Sequence, residues 1–262
     1  MGYVKSVKLI TLVALACSAQ VAHADFVGGI PAGWACTGNC GALGANGDVT
    51  LSPLGNAKYG YVSTSQGVNG TSPFALGSET TGSKLVSTAF TANAGDALNF
   101  YFNYVTSDGS GFSDYAFSRL LNAADNSQAA ILFTARTKPT GNIIPGFGLP
   151  NADATIPVTP IIPNASNWSA LGANSGECYA AGCGSTGWVP STFEIGVAGS
   201  YLLEFGVVNW VDSAFQSGLA FDGITVGGKP IDPPSAVPLP ASLPLTLSGL
   251  AMLGFFRRKV KK

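Results

Sequence analysis

The stretch LNFYFNYV, residues 98–105, decides the fold class because its side chains alternate between two faces. A β-strand sends successive side chains to opposite sides, so a repeat of two residues predicts one buried face and one more exposed face. The sequence therefore predicts a half-buried strand. Its two faces are Leu98, Phe100, Phe102 and Tyr104 on one side and Asn99, Tyr101 and Asn103 on the other.

Segments of the same kind continue on both sides of this stretch. Between residues 25 and 232 there is no convincing helical repeat, and many of the chain's 34 Gly and 16 Pro residues separate short runs of aromatic and β-branched residues. We therefore predict about nine strands in two packed antiparallel sheets, an all-β, jelly-roll-like β-sandwich. The other predicted strands are 49–51, 59–63, 84–90, 115–121, 129–136, 192–196, 200–208 and 219–226.

Two regions of this domain have distinct patterns. The strands 98–105, 115–121 and 129–136 follow one another closely and predict a meander. Residues 138–190 instead carry seven prolines, which remove backbone donors and prevent a central strand. We predict a long excursion over the sandwich surface, and because loops of this length are uncommon unless functional, it is a candidate binding region.

The charge of the predicted mature body is acidic. Two of the 13 cationic residues precede residue 25 and five follow residue 232, which leaves six cations against all 14 acidic residues. A net charge near −8 argues against nucleic acid as a partner, since phosphates need a basic face. It is compatible with divalent cations or neutral sugars and identifies neither.

The scarcity of histidine excludes most familiar enzyme mechanisms. The chain has one His, His23, and it lies in the predicted signal peptide. The mature protein would lack the commonest general base and zinc ligand, so we predict a non-enzymatic protein. A carboxylate-based glycosidase needs no histidine and stays open as an alternative. Its available carboxylates would be Glu177, Glu194 and Glu204.

Four cysteines remain in the mature body as two close pairs. An even count in an exported protein favours disulfides. An oxidising compartment and Gly-rich surroundings favour two small loops, although the spacings also allow a four-cysteine zinc site, and cross-pairing between the clusters stays open. The pairs are Cys36 with Cys40 and Cys178 with Cys183.

The N-terminal residues 1–24 predict a signal peptide. Lys5 and Lys8 precede an apolar stretch at 9–17, and Ala22-His23-Ala24 supplies the small residues that a signal peptidase reads. Cleavage before Asp25 leaves a β-sandwich domain of residues 25–232. Lipoprotein processing at Cys17 is the alternative, but Ala14 stands where a lipobox usually has Leu.

Residues 233–262 resemble the PEP-CTERM sorting signal of Gram-negative bacteria. A Pro-containing motif precedes an apolar run at 241–256, long enough for a short transmembrane helix, and a basic tail follows. The resemblance implies an exosortase-like partner, transient anchoring in the inner membrane, and a final place at the cell surface or outside the cell. Leu239 stands where the family's motif has Glu; an ordinary C-terminal anchor or a terminal core helix are the alternatives. The motif is Val237, Pro238, Leu239 and Pro240, with Arg257 and Arg258 opening the tail.

The body also resembles a family of secreted PEP-CTERM proteins with no assigned activity. The resemblance implies an extracellular β-sandwich on a bacterium that makes an exopolysaccharide, and it brings no catalytic residues. More loosely, the last strands are similar to those of carbohydrate-binding jelly rolls, where an Asp often helps to hold calcium. The matching stretches are 33–41, 59–63, 100–109, 209–212 and 217–223.

Two candidate sites follow. If Ile224 and Val226 face the core, Asp222 does too, and a buried carboxylate needs a cation or several hydrogen bonds; we predict a structural calcium with Asp212 as second ligand. A bulge after Asp222 would instead turn it outward. Asp108 and Asp114 could form another site, although turn-forming roles explain such residues more often.

Exposed tryptophans in the excursion would suit a glycan. Sugars stack on exposed aromatic faces, so we predict a glycan site with Trp168 and Trp188; packing under the loop is the alternative. Together these features favour a non-enzymatic, exosortase-sorted surface or matrix protein that binds extracellular polysaccharide. A structural or adhesive matrix protein without a small ligand is the nearest alternative.

Overall fold

The computed structural model describes residues 26–231, and strands dominate them. One short 3-10 helix, Ser169–Asn174, accompanies them. The strands are β1 (Ala35–Thr37), β2 (Asn39–Leu43), β3 (Tyr59–Ser63), β4 (Val68–Asn69), β5 (Glu79–Val86), β6 (Phe90–Ala92), β7 (Ala97–Thr106), β8 (Tyr115–Asn122), β9 (Gln128–Arg136), β10 (Asn142–Ile144), β11 (Thr159–Pro160), β12 (Ile162–Pro163), β13 (Gly184–Ser185), β14 (Val189–Glu194), β15 (Gly199–Trp210), β16 (Ser217–Val226) and β17 (Lys229–Pro230).

Two antiparallel sheets form the body, which confirms the prediction of an all-β sandwich. Sheet A has the order β1-β5-β15-β8-β9, with β4 beside β5 and β6 beside β15. Sheet B has the order β12-β13-β7-β16-β3-β2, with β14 beside β7 and β17 beside β16. The predicted signal peptide and C-terminal sorting helix lie outside the described residues. Within residues 26–231, no helix is long and apolar enough to cross a membrane.

Aromatic side chains join the two sheets. The alternation of LNFYFNYV is confirmed, since all four apolar residues on its predicted core side are buried in β7. Phe102 of sheet B stacks on Phe133 of sheet A at 3.8 Å between ring centroids. Phe221 and Phe205 form a second stacked pair across the sheets at 4.0 Å. Ring packing thus adds to the area buried between the sheets.

The predicted meander is wrong, because β7 and β8 belong to different sheets. Only β8 and β9 pair as a hairpin. Residues 107–114 carry the chain from sheet B to sheet A, and residues 211–216 carry it back from β15 to β16. Both crossings lie at the same end of the sandwich, where β7 and β15 end and where β8 and β16 begin.

Other predicted strands differ in detail. The segment 84–90 is divided between β5 and β6, and residues 49–51 form only an isolated bridge from Val49 to Asn46. The Pro-rich excursion contains only short strands until β14. Pro190 lies within β14, whose one strand partner is β7, while an isolated bridge joins Thr192 on its other side to Thr155. Proline is tolerated near the edge of a sheet because few backbone donors there are needed for pairing.

Part of the excursion and a segment near the N-terminus pack on the outer face of sheet B, which we call the covered face. Segments 44–56 and 164–176 cover it, and Asp48 N–H donates to Asn167 O at 2.7 Å between them. Beneath lie Tyr59, Val105 and Ala220, all fully buried. An apolar layer outside the sheet is the reason why β7 and β16 are buried on both faces.

The course of β16 relates the two ends of the domain. It begins at Ser217, beside the chain crossings, and runs to Val226 at the opposite end. There β17 folds back, with Lys229 paired to Val226 and Pro230 to Thr225. The described chain therefore ends at the side away from the crossings.

Candidate functional site at the loop end

Three loops meet where the chain crosses between the sheets, and we call this region the loop end. They are residues 107–114, 178–183 and 211–216. Tyr179 N–H donates to Ser107 O at 2.9 Å, and Ser110 N–H donates to Ala181 O at 3.0 Å. Ser107 N–H donates to Gln216 O at 3.1 Å. Although the three loops are far apart in the sequence, backbone hydrogen bonds hold them together.

Disulfides pair the cysteines within each predicted loop, which confirms local pairing. Cys36 bonds to Cys40 and Cys178 to Cys183, with Cα atoms 6.0 Å and 5.7 Å apart. The second bridge closes one loop of the loop end. Gly109 fits directly against it, since a Cβ at Gly109 would lie 2.5 Å from the Cβ of Ala180. The contact requires glycine because the opposing atoms belong to or adjoin the backbone.

Each loop contributes one ring to an aromatic cluster of Phe112, Tyr179 and Phe215. The Tyr179 ring centroid lies 5.6 Å from that of Phe112 and 5.0 Å from that of Phe215. Tyr179 is 49% exposed, whereas its two neighbours are half-buried. Phe215 has φ +51° and Val211 in the same loop has φ +72°. Left-handed backbone is strained in such residues and is often concentrated at functional sites.

Two carboxylates lie buried beneath these loops, and we call Asp108 and Asp114 the carboxylate pair. Each is 1% exposed. Gly109 N–H donates to Asp108 Oδ1 at 2.7 Å, and Trp210 N–H donates to Asp114 Oδ1 at 3.0 Å. The other oxygen of each, Oδ2, has no hydrogen-bond partner. Such groups are rare in folded proteins and call for an explanation.

Burial also changes the acidity of the pair. It raises the pKa of Asp108 to about 7, and the charge of Asp212 acts in the same direction. Burial, followed by the nearby charge of Asp108, raises the pKa of Asp114 well above its usual range. Removing water from an anion and placing like charges near it both favour the neutral acid. The loop end therefore disfavours negative charge on both carboxyl groups.

The nearby cation Arg136 is engaged elsewhere. Its guanidinium carbon lies 4.1 Å from the centroid of the Trp210 ring and 4.9 Å from that of Phe147. Its Nε donates to Ser113 O at 3.0 Å. Within residues 26–231 both ion pairs belong instead to Glu204, with Arg119 at 2.6 Å and Lys84 at 3.8 Å.

The structure separates the predicted calcium ligands Asp222 and Asp212. Asp222 lies five residues into β16 from Ser217, about 17 Å along the strand, whereas Asp212 lies in the loop before it, where its charge acts on the carboxylate pair. A bulge follows Asp222, with Gly223 at φ +71°. The extra residue lets Ile224 join the core while Asp222 points outward, as in the alternative raised from the sequence.

Asp222 nevertheless remains fully buried, because segment 44–56 covers it. Asn56 Nδ2 lies 3.0 Å from Oδ1 and 3.1 Å from Oδ2. The hydroxyl of Ser52 donates to Oδ2 as well. The sequence left two explanations for a buried Asp222, a cation or several hydrogen bonds. The structure shows the hydrogen bonds.

The predicted glycan-binding tryptophans belong to the covered face. Trp168 is 0% exposed, and its Nε1 donates to Tyr59 OH at 3.0 Å. Gly218 leaves room for it, since a Cβ there would lie 2.5 Å from the Trp168 ring. Trp188 is half-buried, and its Nε1 donates to Thr50 O at 3.1 Å. The expected exposure of Trp168 is wrong, and packing under the excursion is the correct alternative.

The glutamates weighed for a hydrolase are dispersed. Glu177 and Glu194 are exposed. Glu204 is buried on β15 and takes part in the ion pairs with Arg119 and Lys84. None of the three contributes to the loop end.

An open cleft of about 500 Å³ lies at the opposite end. Its lining includes Phe90, Asp96 and Lys229. Phe90 is buried, and Asp96 accepts a hydrogen bond from Asn93 N–H at 2.7 Å. This open cleft lacks both an exposed ring and an unpartnered buried carboxylate, so size alone does not make it the better candidate.

Comparisons with known proteins give no family. No protein-family model and no curated protein matches the sequence. Among solved structures, the K1 cleaved adhesin domain of Lys-gingipain from Porphyromonas gingivalis W83 is similar at 12% identity, covering 77% of this chain and 94% of that domain, with a TM-score of 0.38. The K3 cleaved adhesin domain of the same protein has 17% identity, coverage of 79% and 99%, and a TM-score of 0.38. At these identities and TM-scores, the two likenesses show neither a family nor a function for this chain.

Proposed function

We propose that this chain is an exported, non-enzymatic surface or matrix protein that binds a glycan through the aromatic cluster at the loop end. The observation that carries the proposal is the half-exposed ring of Tyr179, placed inside a disulfide loop and flanked by two further rings. Exposed aromatic groups supported by rigid backbone present apolar area with little loss of side-chain entropy on binding.

The chemistry around the cluster suits a neutral sugar. A sugar ring has an apolar C–H face that packs on an aromatic ring and hydroxyl groups that need hydrogen-bonding partners at the edge. Ser110, Asp212 and Ser213 lie on the same loops and are partly or fully exposed. An acidic body disfavours anionic polymers, so the proposed ligand is a neutral glycan.

The test is a glycan array probed with the purified full chain, its Tyr179→Ala variant and its Phe147→Ala variant. Phe147 is a matched control because it is 42% exposed but lies outside the cluster. Loss of the Tyr179 ring should weaken binding at least about tenfold, which corresponds to about 1.4 kcal/mol. Thermal melting of each variant separates lost binding from lost folding.

Three outcomes count against the proposal. If the Tyr179 variant binds as well as the parent, the aromatic cluster is not the glycan site. If only the Phe147 variant loses binding, the site lies beside Arg136 instead. An array without specific signal overturns glycan binding and leaves a structural or adhesive matrix role that needs no small ligand.

Export and sorting form a separate part of the proposal. The support is the sequence: residues 1–24 for a signal peptidase, and the motif at 237–240 with its apolar run and basic tail for an exosortase-like enzyme. The processed protein would pass through the inner membrane and reach the cell surface or the polysaccharide matrix. Intact-mass measurement of protein from the native host should show both ends removed. A surface protein that still ends at Lys262 contradicts exosortase sorting.

A further inference from the structure

The loop end buries two carboxylate oxygens that accept no hydrogen bond, and a hydroxyl close to Asp114, that of Ser217, donates to Thr106 Oγ1. Asp108 Oδ2 and Asp114 Oδ2 have no hydrogen-bond partner, although each side chain is 1% exposed. Burying a charged oxygen is costly unless a cation or several donors stabilise it. Asp222 shows what the same chain does with a structural carboxylate, since Ser52 and Asn56 donate to both of its oxygens.

The neighbouring side chains do not neutralise the pair. Arg136 directs its Nε to Ser113 O and stacks between Trp210 and Phe147. It makes no ion pair with either aspartate, because both ion pairs within residues 26–231 involve Glu204. The surroundings thus retain an excess of negative charge.

Neutral oxygen atoms lie on residues beside the pair. The hydroxyls of Thr106 and Ser217 are fully buried and lie 2.7 Å apart. Thr106 Oγ1 also accepts from Asp108 N–H at 3.0 Å, and Tyr104 OH donates to Asp114 O at 2.8 Å. Hard cations such as Ca²⁺ prefer oxygen ligands of this mixed kind: carboxylate, carbonyl and hydroxyl.

We propose that Asp108 and Asp114 bind a calcium ion through their unpartnered Oδ2 atoms. Among residues 26–231, no three His, Cys, Asp or Glu side chains gather into one metal site, so this one has two carboxylates and takes its other ligands from neutral oxygens and water. Two carboxylates balance the charge of one divalent ion. Bound there, the ion fixes residues 107–114 against Trp210 and thereby supports the platform for Tyr179.

The experiment uses the purified full chain in mild detergent, stripped with EDTA and dialysed. Calcium is titrated by calorimetry, and Tb³⁺ is added as a luminescent substitute, sensitised by Trp210, whose backbone N–H bonds to Asp114. The variants are Asp108→Asn and Asp114→Asn, with Asp222→Asn as a control that removes the same charge at a hydrogen-bonded site. Melting is followed with and without calcium.

One ion per chain should bind to the parent and to the Asp222 variant, and neither carboxylate-pair variant should bind it. At calcium concentrations 100 times the dissociation constant, the folded-to-unfolded ratio of the parent should rise about 100-fold. Without calcium, the Asp108 variant should melt above the parent at neutral pH, because a buried and partly ionised carboxylate has been removed. With saturating calcium, this order should reverse.

Several results overturn the proposal. They are an absence of calcium uptake by the parent, unchanged uptake in both carboxylate-pair variants, or loss of uptake only in the Asp222 variant, which moves the ion to Asp222. If Asp114→Asn does not fold, the Asp108 variant and the parent's own titration still decide the matter. Glycan binding is measured separately, both in EDTA and with saturating calcium, so the failure of either proposal is distinguishable from the failure of the other.

Discussion

The covered face and the loop end treat buried polar groups and aromatic rings in opposite ways. On the covered face, the indole N–H of Trp168 donates to Tyr59 OH, and the carboxylate of Asp222 accepts from two side chains. At the loop end, the carboxylate pair has an unpartnered oxygen on each residue, and Tyr179 is half exposed.

This difference separates regions that stabilise the fold from regions available to a ligand. A buried group with all its partners has nothing further to bind, whereas one without them gains when a ligand supplies the missing contact. By this criterion the covered face is structural, although the glycan site predicted from the sequence, Trp168 and Trp188, belongs to it. The following substitutions test the distinction.

The largest effect is expected from Trp168→Ala. Removing a fully buried indole leaves a cavity and orphans the Tyr59 hydroxyl, so the free energy of unfolding should fall by about 3–5 kcal/mol. Urea denaturation measures this change. Tyr179→Ala is the comparison and should change stability by less than about 0.5 kcal/mol. Equal losses in the two variants would erase the distinction between the regions.

Asp222→Asn should destabilise the protein by about 2 kcal/mol. The introduced amide group is a donor and faces the donors of Ser52 and Asn56, so at least one hydrogen bond becomes unfavourable. Chemical denaturation in EDTA gives the value. Asp108→Asn under the same conditions should cause no loss, and a loss as large as that of the Asp222 variant would show that the two carboxylates are equivalent.

Gly109→Ala should lower the free energy of unfolding by about 1–2 kcal/mol, because the added methyl group overpacks the loop end. The new methyl group would meet the Cα, C and Cβ atoms of Ala180, and these cannot move without displacing the disulfide loop. Faster hydrogen exchange at the amides of Ser110 and Tyr179 would report the separation of the loops. Gly196→Ala is the control, because no atom lies within 4 Å of a Cβ there. Unchanged exchange in the Gly109 variant would contradict the tight contact.

The smallest effect is a pH dependence of melting in EDTA. Because burial raises the pKa of folded Asp108 from 3.8 to about 7, its stabilising contribution is fully present below about pH 4 and is lost as the pH rises through about 7. The melting temperature should fall by a few degrees between about pH 5 and about pH 8. Asp108→Asn should reduce this trend and leave the part that belongs to Asp114. A melting temperature that rises over the same interval would exclude the raised pKa.

That interval lies above the titration of Glu79, whereas Asp114, whose pKa burial also raises, contributes in the same direction as Asp108. Burial alone would raise the pKa of Glu79, but hydrogen bonds from Leu76, Ser72 and Gly77 outweigh it and lower the pKa to about 2. Its contribution is therefore present above its unfolded pKa and is lost only as the pH falls toward 2. His23, the one histidine of the chain, lies outside the described residues.

Local pattern predicted much of the fold. The repeat of two residues identified β7 and its core face, and β3 occupies the predicted residues 59–63. Sheet membership was less accessible, because alternation tells which side chains are buried and not which strand lies alongside. The crossing at 107–114 therefore replaced the predicted meander. Strands of two or three residues, such as β12 and β13, are too short to show a repeat.

The site was only partly predictable for similar reasons. Cysteine spacing and export predicted the bridge between Cys178 and Cys183, and an aromatic residue enclosed by that bridge was a readable signal for Tyr179. The approach of Phe112 and Phe215 depends on tertiary contacts. The bulge after Asp222 shifts the repeat by one residue, so extrapolating from Ile224 placed Asp222 on the wrong face.

Strand β17 folds back antiparallel on β16, so the described domain ends far from the loop end. The chain leaves the described domain at residue 231, beside Val226, whereas Ser217 and the aromatic cluster lie at the other end of a ten-residue strand. That strand spans about 30 Å. A protein held from the side of residue 231 would therefore present the loop end and Tyr179 on its far side, where an approaching polymer would meet the ring.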